Sequence, residues 1–178
     1  VVPFLQDCAF SLAAMRVAPE AAEYVYGATP FGSWFEMDKF PGVKMRNEWM
    51  IEKYGRIWNT VDREDIPYDW GWNNALIIAA VIEQTVKAVG WDKLNTEAII
   101  QKGLKGFKLE TNIISGDLSF ADYEGDRVAI EMVRVAKFDP KNRMTRIPTS
   151  DFIDMRKYRQ YLVAKYTPKK SHPGMYVE

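Results

Sequence analysis

The sequence predicts an α/β protein, and three observations carry that expectation. Between Asp69 and Val89, Leu76, Ala79, Ile82, Val86 and Val89 recur at three- and four-residue intervals, the period of one helix face. Between Val128 and Phe138, Val128, Ile130 and Met132 fall on one face against Glu131 on the other, the two-residue period of a strand. Strand-like and helix-like segments also follow one another along the chain, grouped around the stretch from Ile66 to Arg127. That stretch reads as an aromatic-rich entry, an apolar helix, a Gly-Trp turn, a second helix, a short strand and an acidic glycine turn.

Taken in order, Val1 to Leu5 is a short apolar run interrupted by Pro3, suited to a buried strand whose end releases the chain into a loop. Asp7 follows at once. Ligands gather at the carboxyl ends of strands in open α/β sheets, so its position is suggestive. The plainer reading is that Asp7 caps a turn over Cys8 to Met15 and accepts only from backbone N–H groups. Glu23 to Ala28 is a second strand candidate, with Pro19 before it and Gly27 and Pro30 ending it. The loop from Thr29 to Gly42 carries Phe31, Trp34, Phe35 and Phe40. Loop aromatics grip ligands or partners, or they pack down on the domain's own core.

Val43 to Tyr54 reads as an amphipathic helix with Val43, Met50 and Tyr54 on one face and Gly55 as its stop. The polar segment from Asn59 to Asp65 is a connection. The helix from Asp69 to Val89 ends at Gly90, where a left-handed cap is wanted, and Trp91 and Leu94 are placed to fold back over that end. Thr96 to Lys105 is a shorter helix, with Asn95 or Thr96 as N-cap, Glu97 in its first turn, and Gly103 and Gly106 fraying its end. Leu118 to Phe120 is a short strand. Asp117, Asp122, Glu124 and Asp126 form an acidic cluster, but its spacing is not that of a calcium loop, and a solvated turn explains it. Asp139-Pro140-Lys141-Asn142 is a turn signal, so Met144 to Ile147 is expected to return antiparallel to the preceding strand. The tail from Arg156 to Lys170 is basic, with tyrosines at 158, 161 and 166, and reads as a solvated surface segment.

Composition bounds the function. The 178 residues fit one domain or one lobe of a larger one, and 47% hydrophobic with 13% aromatic residues is enough for a core. Lys and Arg number 24, Asp and Glu 24, so the formal net charge is zero and exerts no broad pull on nucleic acid or anionic membrane. The single Cys8 excludes an intrachain disulfide, and with one His it argues against a Cys/His zinc site. The longest apolar run, Ala75 to Ile82, is eight residues, too short to span a bilayer. The opening VVPFLQDCAF reads like the end of a buried strand, so the chain is expected to be the C-terminal part of a longer protein. The missing signal peptide then says little about location.

Motif chemistry is sparse. There is no G-x-S-x-G elbow, no phosphate-binding G-x-x-x-x-G-K-[ST], no G-x-G-x-x-G and no H-E-x-x-H. His172 and Cys8 leave no evident Cys/His or Ser/His pair. Paired carboxylates remain open, because their separation in space is not written in the sequence. The residues point to binding rather than catalysis.

Three segments carry a resemblance. Glu20-Ala-Ala-Glu-Tyr-Val-Tyr-Gly looks like a strand that follows "AAEG", Gly71-Trp-Asn-Asn-Ala-Leu-Ile-Ile looks like a "GYDAA" helix with Trp for Tyr and Asn for Asp, and Gly116-Asp-Leu-Ser-Phe followed by Glu124-Gly-Asp-Arg looks like "G-x-I-x-F-x-x-x-G-D". In this order they resemble the C-terminal half of the type I periplasmic binding proteins, branched-chain amino-acid-binding proteins of ABC transporters above all, over residues 1–147. The resemblance implies part of a two-lobed α/β fold with parallel sheets flanked by helices. Residues 1–178 would supply the end of the second lobe, a crossover near 59–68, first-lobe helices, a return hairpin and a tail. It implies an extracytoplasmic solute-binding component of an ABC importer that closes on an amino acid or similar small molecule.

The resemblance also assigns residues. Asp7 matches the acidic residue that binds the ligand's α-ammonium. Tyr68 matches, with a one-residue gap, an aromatic just before the "GYDAA" helix, and Trp70 is its neighbour. It implies no cofactor, no metal, no catalysis and no nucleic acid. The partners would be the ligand and an ABC permease, with the membrane met only through that permease or a lipid anchor, in a periplasmic or extracellular location. Two other readings stay open: a ligand-sensing regulatory domain of the same fold, and a fragment of an α/β enzyme that uses paired carboxylates.

Overall fold

The computed structural model describes residues 4–5, 10–11, 15, 17–55, 66–114, 118–120, 132–139 and 145–158. Strand β1 (Phe4–Leu5) leads, through a 3-10 turn at Pro19–Tyr24, to β2 (Tyr26–Thr29). Helices α1 (Pro41–Tyr54) and α2 (Ile66–Val89) follow, then α3 (Thr96–Ala98), which runs directly into a π-helical segment at Ile99–Leu104. Strands β3 (Lys108–Leu109), β4 (Leu118–Ser119), β5 (Met132–Asp139), β6 (Thr145–Pro148) and β7 (Ile153–Asp154) complete the described chain.

The α/β class holds, with a mixed main sheet in the order β1-β2-β5-β6 and β7 paired to β5. β1 and β2 are parallel. β5 runs antiparallel to β2, with Tyr26 opposite Lys137 and Thr29 opposite Arg134. The expected hairpin is present: β6 returns along β5 with Asp139 opposite Thr145. Along β5 the buried positions are Arg134, Ala136 and Phe138, so the predicted two-residue alternation continues to the strand's end. β3 and β4 form a separate antiparallel pair.

Local sequence explains most of the helix ends. Pro41 occupies the first turn of α1, where its missing N–H costs nothing, and Gly55 closes the helix at φ 62°. Gly90 closes α2 at φ 81°. Asn95 caps α3: its Oδ1 accepts from the Ala98 N–H at 2.9 Å.

Several expectations are corrected. The strand expected at 23–28 starts later, because Pro19 and the helix-forming residues after it wind into the 3-10 turn. Gly27 lies inside β2 rather than ending it: a Cβ there would stand 2.2 Å from Cγ of Phe10, so the ring needs a glycine beneath it. Phe4, expected in a buried strand, is 59% exposed on the sheet's edge. Tyr54 is exposed at the end of α1 and touches Trp49 (ring centroids 5.8 Å apart), while Arg46 and Asn47 take the inward places beside Val43 and Met50. Trp91 does not fold back; it is 70% exposed in a 3-10 turn.

On α2 the buried places are Asp69, Asn73, Val81 and Thr85, one step round from the expected stripe, and Ala79 is exposed. The rotation follows from how α2 meets the π-helical segment. Gly103 sits so close that a Cβ would be 2.3 Å from Thr85 Oγ1 and 3.0 Å from Val81 Cγ1. Gly103 is thus a close-approach residue rather than a frayed end. Asp7, the acidic turn at 122–126 and the polar connection at 59–65 lie outside the described residues.

Candidate functional site

Among the described residues, two hydrophobic clusters organise the interior. One gathers Phe10, Met15, Ala22, Val25, Ala136 and Phe138 on the main sheet. The other gathers Phe31, Val81, Phe107, Ile113, Ile114 and Leu118 around α2 and the β3–β4 pair. Trp70 packs against both, and its ring meets Phe31 edge-on at 5.1 Å. A side chain in the first turns of α2 therefore bridges the two cores.

A buried polar layer lies beside that bridge. Asp69, next to Trp70 and 1% exposed, accepts from Arg146 Nη2 of β6 at 2.6 Å and from Arg46 Nη1 of α1. Arg46 also donates to Asn47 Oδ1 at 3.2 and 3.0 Å, and Asn47 donates to the Trp34 carbonyl at 2.8 Å. On β5, Arg134 donates Nη1–H to Glu36 Oε1 at 3.0 Å, Nη2–H to Glu36 Oε2, and Nη2–H to the Phe31 carbonyl at 3.0 Å. Ser33 closes the ring: its Oγ donates to the Arg146 carbonyl at 3.0 Å and its N–H to Glu36 Oε2 at 2.9 Å. The layer thus ties β5 and β6 to both helices and to the loop after β2.

Buried ions persist only when paired and hydrogen-bonded; each of these charges faces a counter-charge, while Arg134 Nε–H is left without a hydrogen-bond partner. Burial pushes the Glu36 carboxyl upward. The Arg134 hydrogen bonds, the Ser33 N–H and the charges of Arg134 and Lys39 outweigh it and hold the group below its usual 4.5. Asn73, one turn beyond Asp69, is also left unsatisfied. It is fully buried, and neither its Nδ2 nor its Oδ1 has a hydrogen-bond partner.

Of the three sequence-predicted site residues, Tyr68 and Trp70 are described. Both lie inside α2 rather than ahead of it, because the helix begins at Ile66 with Pro67 in its first turn. Both are half-buried. Asp7 lies outside the described residues. Arg46, Asp69, Arg134, Arg146 and Glu36 escaped sequence reasoning. Arg46 did leave a signal, a charge standing three residues from Val43 and four from Met50 on the inward stripe of α1. Among the described residues, no group of three or more His, Cys, Asp or Glu is placed to hold a metal ion. No described helix is long and apolar enough to cross a membrane.

The fold is similar to that of solved substrate-binding proteins of ABC transporters. A fatty acid ABC transporter substrate-binding protein from Thermomonospora curvata superposes with a TM-score of 0.66 at 16% identity, over 89% of this chain and 38% of that one. A branched chain amino acid ABC transporter protein from Thermus thermophilus with bound valine superposes with a TM-score of 0.59 at 21% identity, over 83% of this chain and 38% of that one. A substrate-binding protein of an ABC transporter from Aeropyrum pernix gives 0.59 at 16% identity, over 85% and 37%. At these identities the likeness is one of fold. The chain spans roughly two fifths of the length of these structures. No protein-family model and no curated protein matches the sequence.

Proposed function

We propose that the chain is the C-terminal portion of an extracytoplasmic solute-binding component of an ABC importer, holding an amino acid or similar small molecule between two lobes and delivering it to a permease. The observation that carries this reading is Trp70, one half-buried aromatic shared by two separate cores in a fold of the substrate-binding class. A ligand held where two cores meet can bias their relative arrangement, which is what a hinged trap requires. In this reading residues 1–178 comprise the end of the second lobe, a crossover near 59–68, first-lobe helices, the return hairpin and the tail. The protein works in the periplasm or outside the cell, on its own or lipid-anchored, and performs no catalysis. Asp7 binds the ligand's ammonium through charge-assisted hydrogen bonds, while Tyr68 and Trp70 supply aromatic walls. The valine held by the Thermus thermophilus protein supports an amino acid as the first ligand to try.

The test is thermal shift of the full-length protein against amino acids, amides, small aromatic acids, fatty acids and sugars. A ligand selective for the native state adds about 2.7 kcal/mol of stability at a hundredfold excess over Kd. Asp7→Ala is expected to lower affinity by roughly 2–5 kcal/mol, the scale for truncating one partner of a buried charge pair. A ligand that lacks an ammonium and binds Asp7→Ala as tightly as the parent removes Asp7 from the site. Turnover of any panel compound overturns the binding-protein reading.

A further inference from the structure

A cleft of about 580 Å³ opens between the loop before α1 and the segment joining β6 to β7. Volumes of this size hold small ligands. Phe40 and Phe152 meet edge to face, ring centroids 5.9 Å apart, and form one apolar wall of the cleft. Its floor is the Arg134–Glu36 pair, and the Arg134 guanidinium lies 4.7 Å from the Phe152 ring centroid. Lys39, its side chain 75% exposed, and Asp151, also exposed, stand at its rim, and Thr149 and Ser150 add hydroxyls. Lys39 leans on Glu36 only at 3.8 Å, and Arg134 already holds both oxygens of that carboxylate.

Both sides of the cleft are held by hydrogen bonds to the backbone. The Val135 carbonyl accepts from the Thr149 N–H at 2.9 Å and the Ser150 N–H at 3.3 Å, and Ser150 Oγ accepts from the Val135 N–H at 2.9 Å. On the other side, the N–H groups of Lys39 and Phe40 both donate to the Glu36 carbonyl at 3.0 Å. The cleft therefore exists before anything enters it, which lowers the ordering cost of binding.

The charges lining the cleft sum to zero, two cations (Lys39, Arg134) against two carboxylates (Glu36, Asp151), and the inner pair is already neutralised. What remains for a ligand is one ammonium and one carboxylate at the rim and the apolar surface of the joined Phe40 and Phe152 rings. We propose that this cleft is a second small-molecule site, for a compact zwitterion with an apolar side chain. Lys39 meets its carboxylate, Asp151 meets its ammonium, and Phe40 and Phe152 hold its side chain. The site shares no lining residue with Asp7, Tyr68 or Trp70, and it stands or falls independently of the function proposed above.

The test uses the whole chain, L-phenylalanine as the probe, and backbone amide resonances of Thr149 to Phe152 as the readout. L-phenylalanine is expected to shift these amides saturably, and Tyr68→Ala is expected to leave the shifts intact. N-acetyl-L-phenylalanine, which lacks the ammonium, and L-phenylalanine methyl ester, which lacks the carboxylate, should each bind up to about fivefold more weakly, the scale of an exposed ion pair. Asp151→Asn should erase the discrimination against the N-acetyl compound only, and Lys39→Gln that against the ester only. The inference is overturned if these amides do not respond, if the three ligands bind alike, or if neither rim variant changes the discrimination. A primary ligand that binds elsewhere while these amides stay silent would sink this site and leave the proposed function standing.

Discussion

Arg134 on β5 donates to both carboxylate oxygens of Glu36, a residue 98 positions earlier in the loop after β2. The pair is buried on both sides, with Arg134 4% and Glu36 8% exposed. It locks the loop carrying Phe31 and Ser33 onto the inward face of the return hairpin. Glu36→Gln leaves a guanidinium buried without its counter-charge and is expected to cost about 3–5 kcal/mol. Replacing both partners, Glu36→Leu with Arg134→Met, should cost less than either single change. Urea denaturation of the four proteins checks this, and additive losses would refute it.

The same pair predicts acid sensitivity. Glu36 titrates below its usual 4.5 in the folded chain, so the folded state favours the carboxylate more than the unfolded state does. Its stabilisation is fully present above the unfolded value and is lost as pH falls through the depressed one. Denaturation midpoints should fall below about pH 4.5, and Glu36→Gln should fall less steeply over that window. Identical acid slopes for the two proteins would exclude the assignment.

Asn73 is buried at 0% exposure with its carboxamide unpartnered. An orphaned buried polar group costs about 1–3 kcal/mol. Asn73→Leu, similar in shape and apolar, is expected to raise the melting temperature. A lower one would mean that the carboxamide makes an interaction in solution.

Two glycines of the helical region make a paired test. At Gly103 a Cβ would press into Thr85 and Val81, so Gly103→Ala should destabilise by about 1–3 kcal/mol. At Gly71, inside α2, a Cβ meets nothing within 4 Å, and Gly71→Ala should stabilise by roughly 0.5–1 kcal/mol through helix propensity. Thermal melts showing the same sign for both would contradict the packing described.

Trp70→Ala removes a side chain that, among the described residues, packs against both hydrophobic clusters. The expected loss is roughly 3 kcal/mol, the low end for deleting a large aromatic because Trp70 is half-buried. The thermal transition is also expected to be broader than that of the parent, since the clusters lose a contact they share. Calorimetry showing a sharp transition, merely lowered, would argue that the clusters couple elsewhere.

Periodicity was legible where one element decides its own state. The α2 helix with Gly90 as its stop, α1 with Gly55, the Asn95 cap and the β5–β6 hairpin all follow from local spacing and turn chemistry. Legibility failed where a residue's role depends on a distant neighbour. Gly103 reads as a helix breaker until Thr85 is seen against it, and Gly27 as a strand end until Phe10 lies over it. Trp91 looks like a folding-back aromatic but is exposed. Tyr68 and Trp70 were singled out by resemblance, while the polar layer beside them was not.

The sequence by itself determined the α/β class, the order of the elements and the aromatic entry to the long helix. These depend on interactions within a few residues, and the chain writes those as spacing. Only the tertiary structure decided that Asp69 would join Arg46 to Arg146, that Arg134 would hold Glu36, and that Trp70 would serve two cores. A charge on an apolar stripe is costly until its partner arrives from another strand or helix. That partner's position is a property of the packed chain, not of any window of its sequence.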